Sequence, residues 1–308
     1  MQRIIRIGTR DSQLALWQAT EVKRLLALNG FASELVPIKS DGDLDLQTPL
    51  YEMGVEGIFT RSLDIALLNN QIDLAVHSMK DVPIVLPIGL TQAAVLERAS
   101  EKDILVYKQD YDFLNDADST AIIATSSIRR KAQWLNRFPN HTIENIRGNV
   151  NTRLIKLQEQ NWDAAIFAAA GLERIGLRPK QSIDLDWMVP APAQGAIMII
   201  SRMNDQLAID ATVTINHSIT ATCTKIERDF LRTLLGGCST PISAYAAVKN
   251  NQLVFTGNML SLDGKEKVSI DLIESIDSLK QDFGIKTAKQ LLENGGNEIA
   301  QKIRNIEK

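Results

Sequence analysis

Four short strings combine residue types whose chemistry can reach beyond packing. Thr9-Arg10-Asp11-Ser12 places a guanidinium and a hydroxyl at the start of a helix, where free backbone N–H groups favour anions. A plain helix cap beside a solvated arginine explains the same residues equally well. His77-Ser78-Met79-Lys80-Asp81-Val82-Pro83 sets a cation and a carboxylate side by side after an apolar run. Such a pair can bind a substrate anion and manage a substrate cation, although a surface turn closed by Pro83 is the blander account of the string alone. His77 reads as a satisfied residue at a strand end rather than as a ligand or base. Thr125-Ser126-Ser127 followed by Arg129-Arg130, and then Arg147-Gly148-Asn149 and Arg153, set hydroxyls, helix-start amides and guanidinium groups together. Arginine suits bidentate binding of carboxylate or phosphate. Finally, Gly236-Gly237-Cys238-Ser239-Thr240-Pro241 forms a loop from which a thiol can approach a ligand closely.

Charge sorted by position singles out the third string. Between Thr120 and Arg153 stand six basic residues (Arg129, Arg130, Lys131, Arg137, Arg147, Arg153) and one acid (Glu144), a net charge of +5 in a chain whose total is −3. A solvated helix face accounts for Lys131 and Arg137, but less well for arginines at two successive strand ends. A free thiol is only slightly ionised at neutral pH, so a reactive Cys238 needs positive charge nearby, which this basic stretch could supply across a cleft. Cys223 contrasts with it: Ile219, Cys223, Ile226 and Phe230 share helical spacing, which makes Cys223 a core residue.

The elements that must position these strings follow from periodicity. RIIRIGTR reads as a buried strand running into a helix whose apolar face is Leu14, Trp17, Val22, Leu25 and Leu28, stopped at Asn29-Gly30. ELVPI (34–38) is a strand, 59–69 a helix carrying Phe59, Leu63, Ala66 and Leu67, and IDLAVHS (72–78) a strand, an alternation typical of a parallel α/β sheet. A second unit repeats it with strands at 120–127, 142–148 and 163–169 and helices at 129–137 and 150–160. AQGAIMIIS, from Gln194, reads as a strand returning to the first unit. A helix near 219–234, three strands (PISAYAAV, QLVFTGNML, KVSIDLI) and terminal helices make a small α+β unit. The expected fold is therefore α/β: two hinged α/β lobes resembling periplasmic-binding-protein-like domains, plus a small C-terminal α+β domain. The expected boundaries are 1–98 with 194–216, 99–193, and 217–308.

Composition narrows the classes. At 308 residues, 44% hydrophobic and 23% charged, the chain is long enough for two or three domains and too apolar for disorder. The total charge gives no global attraction to nucleic acid or an anionic membrane, and aromatic residues at 5% with no RNA or DNA module argue the same way. No apolar run approaches a membrane span, and Arg3, Arg6 and Arg10 interrupt what a signal peptide would need. A cytoplasmic protein is expected. Two cysteines and three scattered histidines suggest neither a disulfide framework nor a metal site.

Seven strings, GTRDSQLALWQA, AVHSMKDVP, TSSIRR, IRGNVNTRL, AAAGLERIGL, PAPAQGAI and LLGGCSTPISAYA, occur in an order and spacing that closely resemble the porphobilinogen deaminase (hydroxymethylbilane synthase) family over almost the whole chain. The resemblance implies a transferase of tetrapyrrole and haem biosynthesis that joins four porphobilinogen molecules into hydroxymethylbilane, releasing ammonia at each addition. It implies a dipyrromethane cofactor bonded through a thioether to Cys238, with Asp81 as the central catalytic group, joined by Arg10 and Lys80. The matching cofactor- and substrate-binding positions are Ser12, Ser78, Thr125, Ser126, Ser127, Arg129, Arg130, Arg147, Arg153, Arg174 and Gln194. No metal, no nucleic-acid or membrane partner and a monomeric state are implied. The chain departs from the family where a GGKG loop and a Lys-Glu pair are common: it has Glu52, Gly54-Val55-Glu56-Gly57 and Arg61-Ser62. A solute-binding or effector domain is the rival class, but such a domain would not need Cys238 or the third unit.

Overall fold

The computed structural model describes residues 3–39, 60–234 and 240–306, so Cys238, Glu52 and Glu56 lie outside the described residues. The chain opens with β1 (Ile5–Thr9), α1 (Gln13–Leu28), β2 (Ser33–Pro37), α2 (Arg61–Leu68), β3 (Leu74–Ser78), a 3-10 turn at Met79–Asp81, and β4 (Leu90–Val95). It continues through β5 (Asp103–Tyr107), β6 (Ile122–Ala124), α3 (Ile128–Arg137), β7 (Thr142–Glu144), α4 (Val150–Glu159), β8 (Ala164–Ala168), α5 (Ala169–Glu173) and β9 (Ser182–Asp184). β10 (Ile197–Arg202), α6 (Gln206–Val213) and α7 (Ser218–Thr233) follow, then β11 (Ile242–Lys249), β12 (Gln252–Leu260), β13 (Lys267–Ser275), α8 (Phe283–Leu291) and α9 (Asn297–Ile306).

Among the described residues these strands form three sheets, ordered β2-β1-β3-β10-β4, β7-β6-β8-β5-β9 and β11-β12-β13. The first two are mixed rather than purely parallel. β10 runs antiparallel to both β3 and β4, and β5 antiparallel to both β8 and β9. The alternation of strand and helix misses this because β10 and β5 are reached by chain crossings between the lobes, not by a helical crossover within one. The third sheet is an antiparallel meander covered by α7 and α8.

Each sheet carries apolar layers. Ile5, Ile7, Leu74, Val76 and Ile199 pack on Val22 and Leu26 of α1, while Ala75, Met198 and Ile200 pack on Leu63, Ala66 and Leu67 of α2. Fully burying a Val, Leu, Ile or Met side chain stabilises by about 1.5–3 kcal/mol. The buried stripe of α1 is Gln18, Ala19, Val22 and Leu26, displaced from the expected face. Leu28 is 71% exposed and Trp17 turns toward the second lobe, under Arg174. In α7, Cys223, Ile226 and Phe230 are buried and Ile219 is half exposed; burial pushes the Cys223 thiol up to about 11, as suits an inert core cysteine. No helix among the described residues is long and apolar enough to cross a membrane.

The two segments crossing between the lobes lie against each other. Gly195 has φ +85°, and a Cβ there would sit 2.7 Å from the Ser100 carbonyl oxygen and 2.8 Å from that of Ala99. Only glycine permits this approach without a shift. Ala99 N–H donates to the Gly195 carbonyl at 3.1 Å.

Just before β3, the central strand of the first sheet, Asp73 is fully buried and accepts from Arg6 (Nε 3.1 Å, Nη2 2.9 Å) and Arg202 (Nη2 2.7 Å). Burial alone would raise its carboxyl. The side chain and backbone N–H of Arg6, with Arg202, outweigh that and hold it at about 2. An unfolded aspartate titrates near ~3.9, so this stabilisation is complete above that value and is lost as pH falls toward 2. Asp73→Asn will be less stable than wild type at neutral pH and will show a flatter acid limb when thermal midpoints are measured from pH 6 to pH 2. Parallel curves would contradict the assignment.

Candidate active site

The residues singled out by type gather at the C-terminal ends of parallel strands, where open α/β sheets bind ligands. In the first lobe Arg10 and Ser12 follow β1, Ser78 ends β3, and Lys80 and Asp81 follow it. Thr125, Ser126 and Ser127 follow β6 in the second lobe, with Arg147 after β7 and Arg174 after α5. Local capping explains the entries into the helices. Ser12 accepts from Ala15 N–H at 3.4 Å, Ser127 from Arg130 N–H at 3.4 Å, and Asn149 from Thr152 N–H at 3.0 Å. The Ser126 hydroxyl donates to the Ile146 carbonyl at 2.6 Å and accepts from Ile146 N–H at 3.0 Å, tying together the loops that carry the arginines. Thr125 Oγ1 accepts from Ser127 N–H at 3.3 Å.

Asp103, at the head of β5, organises the centre. It is fully buried. Its Oδ2 accepts from Arg129 Nη2 at 2.7 Å, and its Oδ1 from Arg130 Nη2 at 2.7 Å, Arg130 Nε at 3.0 Å and Gln194 Nε2 at 2.9 Å. Burial would raise this carboxyl, but Arg129, Arg130 and Lys80 hold it well below the usual carboxylate range. Arg129 also donates to the Val189 carbonyl and Arg130 to that of Ile166. The sequence reading missed Asp103 because it lies outside the basic stretch. Its signal is an acid heading an apolar run, Asp103-Ile104-Leu105-Val106, a position where a charge needs a buried cation.

Lys80 reaches into this network from the first lobe. Its Nζ donates to Gln194 Oε1 at 3.2 Å, while Gln194 Nε2 also holds the Glu101 carbonyl at 2.7 Å. Enclosure by the surrounding walls, and then the charge of Arg130, push Lys80 down to about 8, although its side chain keeps surface open to the cleft. Beside it the Asp81 carboxylate is exposed and has no hydrogen bond or ion pair among the described residues, while it feels the charges of Lys80 and Arg153. Arg153 is fixed by its Nε donating to the Gly148 carbonyl at 2.8 Å; burial, then Arg130, bring it down to about 10. Arg147 is 7% exposed and adds to the same field. The cluster thus holds five cations (Lys80, Arg129, Arg130, Arg147, Arg153) around two carboxylates, Asp81 and Asp103.

The remaining expected positions line or brace this region. Ser78 Oγ accepts from the buried Gln18 Nε2 at 2.9 Å, a contact the sequence did not suggest. Arg174 Nη2 donates to the Gly195 carbonyl at 2.7 Å and its guanidinium lies 5.6 Å from the Trp17 ring centroid. Arg10 lies close enough to His77 to lower its pKa further, after burial, to about 3. His77 is not satisfied as expected: its Nε2 is buried without a partner. Strand register explains this, since His77 stands opposite Met198 on the face where Ala75 and Met198 join an apolar layer.

Two family descriptions match the chain. "Porphobilinogen deaminase, dipyromethane cofactor binding domain" covers residues 5–210, and "Porphobilinogen deaminase, C-terminal domain" covers residues 221–293. A porphobilinogen deaminase of Pelobacter propionicus is 39% identical over 305 residues, spanning 98% of this chain and 97% of that protein. Solved structures similar to the chain include a periplasmic substrate-binding protein of an ABC transporter from Coxiella burnetii, with 14% identity over 71% of this chain and 94% of that one and a TM-score of 0.43. The periplasmic VFT2 domain of BvgS from Bordetella pertussis covers 71% of this chain and 91% of its own at 14% identity, with a TM-score of 0.42. With matches that together run from residue 5 to residue 293, and a relative aligned along nearly its full length, the chain belongs to the porphobilinogen deaminase family and condenses porphobilinogen into hydroxymethylbilane.

Proposed function

We propose that Asp81, with Arg10 and Lys80, carries out this condensation, and that the dipyrromethane cofactor is held through a thioether to Cys238. The observation that carries the reading is the Asp81 carboxylate, which has no hydrogen bond or ion pair among the described residues and is presented on the turn after β3, amid a surplus of cations. A pyrrole N–H finds its acceptor there, and a carboxylate so placed stabilises the cation that develops on porphobilinogen as ammonia leaves. Lys80 Nζ, steadied by Gln194, donates to a substrate carboxylate, and with its value near 8 it is poised to exchange a proton close to neutral pH.

The donor set fits a polycarboxylate cofactor. Five cations exceed the two local carboxylates, and Arg129 Nε is buried without a partner. Arg129, Arg130, Arg147 and Arg153 would hold the acetate and propionate groups, with Ser12, Ser78, Thr125, Ser126 and Ser127 supplying neutral hydrogen bonds and Arg174 and Gln194 bracing the crossing segments. When bound, dipyrromethane supplies the pyrrole carbon from which the chain is extended. We read residues 1–98 with 194–216, 99–193 and 217–308 as three domains, the first two hinged, in a cytoplasmic monomer without nucleic-acid or membrane partners. The net charge of −3 and the sparse cysteines support that setting.

Intact mass tests the attachment. Purified wild type will exceed its sequence mass by one dipyrromethane, and Cys238→Ser will lack the excess while still folding. An excess that survives the substitution would place the cofactor elsewhere.

A further inference from the structure

The turn that bears Asp81 is held from α7 as well as from its own lobe. A three-residue 3-10 turn is a short element; among the described residues its backbone bonds are Met79 N–H to the Ala196 carbonyl at 3.0 Å and Val82 N–H to the Met79 carbonyl at 3.2 Å. Arg228, on α7, reaches across to three carbonyls flanking Asp81: Nη1 donates to Val82 at 3.0 Å and to Met79 at 3.4 Å, and Nη2 to Pro83 at 2.6 Å. Its neighbour Glu227 is fully buried and anchors the same helix. Glu227 takes Arg98 in a bidentate pair (2.8 and 2.7 Å), the Ala193 N–H at 2.6 Å and the Ala246 N–H at 2.7 Å. α7 is thereby fixed to both crossing segments and to β11, and Arg228 projects from a rigid support.

We propose that Arg228 is a positioning residue for the condensation, fixing the Met79 carbonyl before Asp81 and the Val82 and Pro83 carbonyls after it, and so the direction of the Asp81 carboxylate. This rests on the reading of Asp81 given above. One guanidinium shared by three carbonyls fixes orientation in a way that a single-point ammonium cannot, and displacement of a reacting group by about 1 Å can cost on the order of 10²-fold in rate.

The test uses cofactor-loaded Arg228→Met and Arg228→Lys beside Asp81→Ala and the double variant Asp81→Ala/Arg228→Met. Arg228→Met is expected to lower kcat by about 10- to 100-fold, with KM and cofactor content within twofold of wild type, and Arg228→Lys to recover part of the loss. In the Asp81→Ala background Arg228→Met will cost less than twofold more, because a positioning residue has nothing left to position. If Arg228→Met does not fold, the same comparison is made with Arg228→Lys. A near-normal kcat in loaded Arg228→Met, or losses that multiply in the double variant, overturns the proposal while leaving Asp81 in place. Near-normal turnover in Asp81→Ala together with an impaired Arg228→Met refutes the reading of Asp81 instead.

Discussion

Asp81→Ala will yield a folded, cofactor-loaded protein whose turnover of porphobilinogen falls by about 10²- to 10⁴-fold, the contribution of a well-placed acid–base or electrostatic group. Folding should survive because the carboxylate has no protein hydrogen bond or ion pair to lose among the described residues and lies exposed on its turn. The loss falls on chemistry because, of the two carboxylates that the described residues bring to the cluster, Asp81 is the one whose oxygens are not already taken by them. Asp103, the other carboxylate, is fully engaged by Arg129, Arg130 and Gln194. Rate and thermal midpoint measured on one preparation decide the matter. A midpoint close to wild type with a collapsed kcat is the expected pair, and near-normal turnover refutes the role.

Asp103→Leu will be the converse, a substitution whose first effect is on stability. The side chain can fill the space, but Arg129 and Arg130 would be left as buried, unpaired guanidinium groups. Removing one partner of a buried ion pair costs about 3–5 kcal/mol. Asp103→Asn keeps an acceptor oxygen without the charge and should fall between. Denaturant unfolding of both variants, at constant slope, measures the ordering; a loss below about 1 kcal/mol in Asp103→Leu would show that the arginines find other partners. Catalysis should suffer as well, because Asp103 Oδ1 also holds Gln194, whose Oε1 in turn accepts from Lys80.

Much of this was legible from residue order because the informative strings sit where strands end, and those positions have strong local signatures. Ser12 is a helix cap in the structure, one of the two readings its string allows, and α3, α4 and α7 begin and end within a few residues of where their periodicity places them. What local pattern could not carry was pairing over long sequence distances. The antiparallel direction of β10 depends on a chain that leaves the first sheet and returns. The buried face of α1 depends on Arg174, more than a hundred residues away, receiving Trp17. Counting charge by segment also overstated the basic patch. Asp103, outside the counted stretch, is bonded to two of its arginines, so part of the +5 is internally balanced and Arg147 and Arg153 gain weight as groups for a ligand. Arg228 was visible only as a polar residue on a helix, since nothing nearby in sequence reveals that its partners are the carbonyls around Asp81.

The central claim is that a cofactor anchored at Cys238 lies in the cleft with its carboxylates on the arginines and its pyrrole nitrogens toward Asp81. A crystal structure of the purified, loaded protein tests it most directly. The account predicts a thioether at Cys238 Sγ, carboxylate groups paired with Arg147 and Arg153 and reaching the Arg129–Arg130 pair, and an Asp81 oxygen within hydrogen-bond reach, about 2.6–3.2 Å, of a pyrrole nitrogen. A cofactor attached elsewhere, or an Asp81 carboxylate turned away from every pyrrole nitrogen, would contradict it.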